Sequence, residues 1–327
     1  MVRSRVLLML GGVLLAGSGD APAATPDKDV AALAAKIDQA LAAGWDANKV
    51  QPAAQASDAE FVRRVYLDLA GRIPSAAEVR QFLDDKRSDK RQRLVVQLLD
   101  GPRYVTHFTN VWRALLLPET TSSLQVQLQA GGFETWLRTK LQQNTPYDAL
   151  VRELLTAPMG GRGRNPFGGP QNGTPSPVAF YLAKEVKPEN LAAAASRLFL
   201  GVKIECAQCH NHPFAEWKRE QFWSFAAFFA GLQRQGQGDF VGAGRELTIP
   251  GTERVVQAAF LDGQQPKWKD NTSPRATLAE WMTNKDNPYF ARAAVNRAWG
   301  YFFGTGIVDP VDEMIGGEHA PSHPELL

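Results

Sequence analysis

Apolar residues recur at helical spacing through most of the first 157 positions, and this period constrains the fold more than any other feature of the chain. Val30, Leu33, Ile37 and Leu41 fall on one helix face, and Phe61, Val62, Val65 and Leu69 on another. Spacings of three and four place such residues on a single buried stripe. Gly44 and Gly71 read as the stops of these two helices, since glycine adopts the left-handed conformation that ends a helix at little cost. Ser75 and Glu78 form a capping box ahead of Val79, Phe82 and Leu83. The period continues through Leu94, Val95, Leu98 and Leu99; through Tyr104, Phe108, Val111, Trp112 and Leu115; and through Phe133, Trp136, Leu137 and Leu141. Another helix begins at Thr145-Pro146 and carries Leu150, Val151, Leu154 and Leu155. The expected fold is mainly α, a multi-helix orthogonal bundle.

Breaks in this period divide the chain. Residues 158–177 are dense in glycine and proline, and no apolar period survives there, so they read as a long loop between a helical part at 27–157 and a second one at 178–231. The second part includes a helix from Pro188 through Leu191, Ala194, Ala195, Leu198 and Phe199, and an aromatic run at Phe222, Trp223, Phe225, Phe228 and Phe229. Those aromatics need an apolar partner, either a protein core or the face of a porphyrin, and the core is the commoner use. Residues 232–274 read as an irregular connection with a small β-hairpin around 240–262. Helix returns at 275–327, the start of a second helical domain that stops short.

The N-terminus reads as an export signal. Arg3 and Arg5 precede the apolar run Val6 to Gly17, and Ala21-Pro22-Ala23 supplies a small-residue cleavage site, so residues 1–23 are expected to be removed. Twelve residues of helix cover only about 18 Å, short of the ~30 Å of hydrocarbon a membrane anchor must cross. The mature chain is therefore expected to have no membrane span and to lie in the periplasm or outside the cell. Its 36 basic and 34 acidic residues leave a net charge of +2, which gives no basis for a nucleic-acid partner.

Chemistry concentrates in Glu205-Cys206-Ala207-Gln208-Cys209-His210-Asn211-His212-Pro213-Phe214, which holds both cysteines and two of the five histidines. Cys-x-x-Cys-His offers two thiols for the vinyl groups of a haem and an imidazole for its iron, so Cys206 and Cys209 would form thioethers and His210 would be the proximal ligand. His212 follows too closely to reach the opposite face, which leaves Met159, His107 or Met282 as distal candidates, Met159 being preferred for its place in the loop. A zinc site is the alternative. It would draw on Cys206, Cys209, His210 and His212, with His107, His319 or His323 completing it, and would support a hydrolase-like or structural role. A dithiol–disulfide pair is the third reading, without the βαβ context of thioredoxin-like enzymes. Glu205, Glu216 and Asp239 carry no pairing signal, and no P-loop, nucleophile elbow or dinucleotide fingerprint is present.

The stretches "FVRRVYLDLAGRIPSAAEVRQFLDD", "RLVVQLLDGPRY" and "RLFLGVKIECAQCHNHPFAEWKREQFWSFAAFFAG" occur in that order. Together they resemble the planctomycete cytochrome-c-associated domain of unknown function, over about residues 30–231. The tail, "LAEWMTNKDNPYFARAAVNRAWGYFFGTGIVDPVDEM" and "PSHPELL", resembles the start of the uncharacterised domain that usually accompanies it. The resemblance implies an exported, mainly helical protein associated with cytochrome-like modules. With the motif, it leads to an expected covalent haem c, extracytoplasmic electron transfer, and a redox partner or a cell-surface protein assembly.

Overall fold

Two serine caps set the beginning of the folded chain. Ser75 and Glu78 close the expected capping box at the start of α3 (Ala76–Asp84), and Ser57 and Glu60 close another at α2 (Asp58–Ala70). These helices belong to a computed structural model that describes residues 28–159, 175–213, 215–235, 239–241, 244–314 and 319–327. Residues 1–23, the expected export signal, Arg162 and Arg164 of the Gly/Pro-rich segment, and Phe214 lie outside the described residues.

The first helix, α1 (Lys28–Asn48), runs four residues past the expected stop at Gly44. Gly44 is not a terminator because the residues after it sustain the helix. The left-handed residue is Lys49, at φ 54°, while the His323 ring occupies the space a side chain at Gly44 would need. No residue of α1 is buried. Gly71 does end α2, at φ 65°.

α2, α3 and α4 (Lys90–Leu99) enclose a small core of Val62, Val65, Tyr66, Leu69, Phe82, Leu94 and Leu98. Glu78 ties their connection together, accepting hydrogen bonds from Arg72 and from the amide and hydroxyl of Ser75. The Arg72 guanidinium and these serine bonds hold the Glu78 carboxyl down, from an ordinary 4.5 to about 2. A depressed carboxyl contributes stability that is complete above its unfolded value and lost as pH falls through the folded one. Stability measured by urea unfolding should therefore decline as pH falls from 4.5 through about 2, and Glu78→Gln should flatten that acid limb.

The larger core is built from α5 (Pro102–Leu116), α6 (Leu124–Gln142), α7 (Tyr147–Leu155), α8 (Ala179–Ala183), α9 (Pro188–Ala195) and α10 (Arg219–Ala226). Phe133, Leu137, Leu154, Phe180, Tyr181, Phe199, Phe222, Phe225, Phe228 and Phe229 are buried in it. Each such side chain contributes about 1.5–3 kcal/mol on burial.

Two short antiparallel hairpins follow. β1 (Gln233–Gln235) pairs with β2 (Asp239–Val241), and β3 (Glu246–Thr248) with β4 (Val255–Gln257). The last helices are α11 (Pro274–Met282) and α12 (Phe290–Phe303). They do not form a separate core, since Leu278, Ala279, Met282 and Phe290 belong to the large one. Arg275 seals the junction, its Nη1 donating to Leu155 O, Ala157 O and the Tyr181 hydroxyl at 3.2, 2.9 and 3.0 Å. The fold is mainly α, and no described helix is long and apolar enough to cross a membrane.

Candidate functional site

The helix α9 opens with Pro188 at its first turn and passes into a π-helical turn, Ser196–Leu200, ended by Gly201 at φ 66°. Glycine is required twice over here. The backbone is left-handed, and an added Cβ would lie 2.8 Å from Met314 Sδ and 3.2 Å from Ala293 Cβ. The chain then pairs Val202 with Glu313, buries Ile204, and turns through a 3₁₀ helix at Glu205–Gln208.

That turn sorts its side chains. Ala207 is fully buried, while Cys206, Cys209 and His210 are exposed. Cys206 lies within the 3₁₀ turn and Cys209 follows directly as its cap, in right-handed helical conformation. Both cysteines are free thiols.

The backbone beneath these exposed groups is held from α10. Gln208 O accepts from the Trp223 indole at 3.0 Å and from Arg219 Nε at 3.3 Å. Arg219 also donates its amide to Asn211 Oδ1 at 3.0 Å and its Nη2 to Pro250 O at 2.7 Å. His212 N donates to Trp217 O at 2.8 Å. The aromatic run therefore belongs to the core: Phe228 stacks on Phe260 at 5.2 Å, and Phe260 on Trp281 at 4.7 Å.

His210 Nδ1 lies 2.7 Å from Asn211 O. A carbonyl only accepts, so Nδ1 donates to it, and in the neutral ring this tautomer has its lone pair on Nε2. This is the arrangement that prepares an imidazole to ligate a metal through Nε2.

The other candidates sit elsewhere. Met159 and Met282 are buried in the large core. His107 packs against Gly71, with Nε2 2.6 Å from the Tyr301 hydroxyl, and burial pushes its pKa down. His323 lies against Gly44. His319 Nε2 is 3.3 Å from Glu313, whose carboxyl is held below the usual range chiefly by Lys203, with smaller contributions from His319 and His212. Among the described residues no group of three or more His, Cys, Asp or Glu side chains is placed to hold a metal ion. The proposed zinc ligands are thus not gathered around a common point.

An ion-pair chain also reaches the turn, at Glu205. Glu205 Oε1 is 3.6 Å from Arg197 Nε, and Arg197 Nη1 is 3.4 Å from Asp312, which also pairs with Arg297. Burial pushes the Glu205 carboxyl up, and its Oε2 is buried without a hydrogen-bond partner among the described residues. Sequence reasoning passed over Arg197, Arg297 and Asp312, because no local spacing links residues 115 positions apart.

Comparison with known families places this site. The profile of PSCyt2, a protein of unknown function (DUF1549), matches residues 36–234, more than half of the chain. The chain belongs to the PSCyt2 family. The Cys-His turn, α9 and α10 all lie inside the PSCyt2 region. A second profile, PSD1, also a protein of unknown function (DUF1553), matches residues 274–327 and so takes in α11, α12 and Asp312. Searches of curated proteins and of solved structures found no match to the chain.

Proposed function

We propose that this chain is an extracytoplasmic electron-transfer protein that carries haem covalently on Cys206 and Cys209, with His210 as its iron ligand. The observation that carries the reading is the His210 ring, exposed and with Nδ1 engaged by Asn211 O, which leaves Nε2 as the ligand atom beside two free, exposed thiols. The donor set fits a c-type haem in kind: two thiols for thioether bonds and one imidazole whose Nδ1 is engaged by a backbone carbonyl. When bound, such a group supplies a one-electron iron couple.

The chain's own residues contribute presentation and order. Trp223 and Arg219 fix the backbone of the turn through Gln208 O, and buried Ala207 anchors it to the core. Asn211 sets the imidazole tautomer through its carbonyl while its side chain holds the start of α10. Exposure of all three donor side chains suits an attachment site that a maturation enzyme must reach, and a redox partner or cell-surface assembly must later approach. Export through residues 1–23 would deliver the chain to the compartment where such attachment occurs, in keeping with an association with cytochrome modules.

The test is to produce the chain with its signal in a host that attaches haem to exported proteins. The purified protein should show a reduced α-band and keep haem on a denaturing gel. A colourless product containing zinc would overturn the reading in favour of a metal site.

A further inference from the structure

The residues that hold the Cys-His turn from below are all in the PSCyt2 region, but one side of the segment leading into it is built by the PSD1 region. Asn296, fully buried on α12, donates to Val308 O at 2.8 Å and accepts from Val308 N at 2.9 Å, folding the following loop back along its own helix. The returning chain then docks on the segment before the cysteines. Val202 bridges Glu313, Met314 N donates to Gly201 O at 2.9 Å, and Lys203 Nζ pairs with Glu313 at 2.7 Å.

The antiparallel bridge fixes the direction of this strip. It carries Met314 toward Gly201 and Asp312 toward Lys203 and Glu205. Asp312 sits between two arginines. Arg297 Nη2 pairs with it and also donates to Arg197 O and Leu198 O at 3.3 Å, satisfying carbonyls at the end of the π turn. Arg197 spans from Asp312 to Glu205, the residue before Cys206. The result is an alternating series, Arg297, Asp312, Arg197, Glu205, that begins on the PSD1 region and ends where the 3₁₀ turn begins. Side-chain exposures of 14% and 16% for Arg297 and Asp312 place its root where screening by water is weak.

We propose that the PSD1 region clamps the haem-bearing turn through this series, with Arg197 and Asp312 as positioning residues. The inference rests on the Cys-His turn being the redox site, and it gives the joining of the two regions a purpose: the second fixes the approach of the first region's cofactor segment.

Arg197→Gln is the primary variant, because it removes the link and leaves the better buried Asp312–Arg297 pair intact. Asp312→Asn tests the root, although it strands Arg297. In the unloaded full chain, hydrogen exchange of the amides at 202–209 should accelerate on the order of tenfold or more in Arg197→Gln, with amides of α2–α4 unchanged. Arg197→Lys, which keeps the charge, should recover most of the protection. In the haem-loaded chain, Arg197→Gln should lower the iron midpoint potential, since loss of a nearby positive charge favours ferric iron, and Arg197→Lys should restore it. Unchanged exchange at 202–209, or equal acceleration throughout the chain, would overturn the clamp. A wild-type chain that takes up no haem would overturn the functional reading, and the exchange measurement would still decide the clamp.

Discussion

Serine at both positions 206 and 209 should leave the protein folded and remove all haem from the denatured chain. The two thiols are exposed and unpaired, and the residue that anchors their turn is Ala207 between them. Exposed substitutions of this kind change stability by about 0.5 kcal/mol or less, so thermal melting of the double variant should coincide with that of the unloaded wild type. Covalent retention depends on the thiols alone, so each single variant should still hold haem through the remaining thioether. His210→Ala should also retain it on the gel, but with an altered iron spectrum, because the lost group is the proposed ligand, whose ring contacts Asn211 O. Haem staining of the gel and the melting curve together decide the matter. A structural zinc knuckle makes the opposite prediction, in which Cys206→Ser and Cys209→Ser unfold the chain and no chromophore is ever present.

The largest stability effect outside the apolar core is expected at Lys184. This side chain is only 7% exposed; it pairs with Glu119 and lies 5.7 Å over the Phe180 ring. Burial pushes the Lys184 pKa down, while the Glu119 carboxylate opposes that shift. Lys184 Nζ donates to Glu119 Oε1, while Glu119 Oε2 is buried and has no hydrogen-bond partner among the described residues. Lys184→Met keeps the stem volume but strands a carboxylate in a site of low polarity. Breaking a buried pair costs about 3–5 kcal/mol; since Glu119 retains 30% exposure, about 2–4 kcal/mol is expected here. Adding Glu119→Gln should recover much of this loss, because neither charge then remains. Urea midpoints of the two single variants and the double variant close the cycle. Equal, additive losses would show that the pair is not coupled.

The helices were legible because their signals are local. Ser57–Glu60 and Ser75–Glu78 form their boxes within a single turn, and the apolar period around Leu150 to Leu155 describes one face of one helix. The failure at Gly44 has an equally local origin in part. Glycine permits a left-handed stop without imposing one, and the stop falls at Lys49. The rest of that outcome is distant, since His323 fills the space over Gly44.

The candidate site divides along the same line. By itself, the sequence determined that Cys206, Cys209 and His210 lie within five consecutive residues, whatever the fold around them. It also determined that the protein would be mainly helical, because caps and period act over a few residues. Only the tertiary structure decided that the aromatic run serves the core and that Met159 is buried in that core. It alone brought Arg197 to Asp312, 115 positions away, and so placed the PSD1 region beside the Cys-His turn. Such contacts form when separate helices bury their apolar faces together, and nothing in the local spacing of either partner encodes the other.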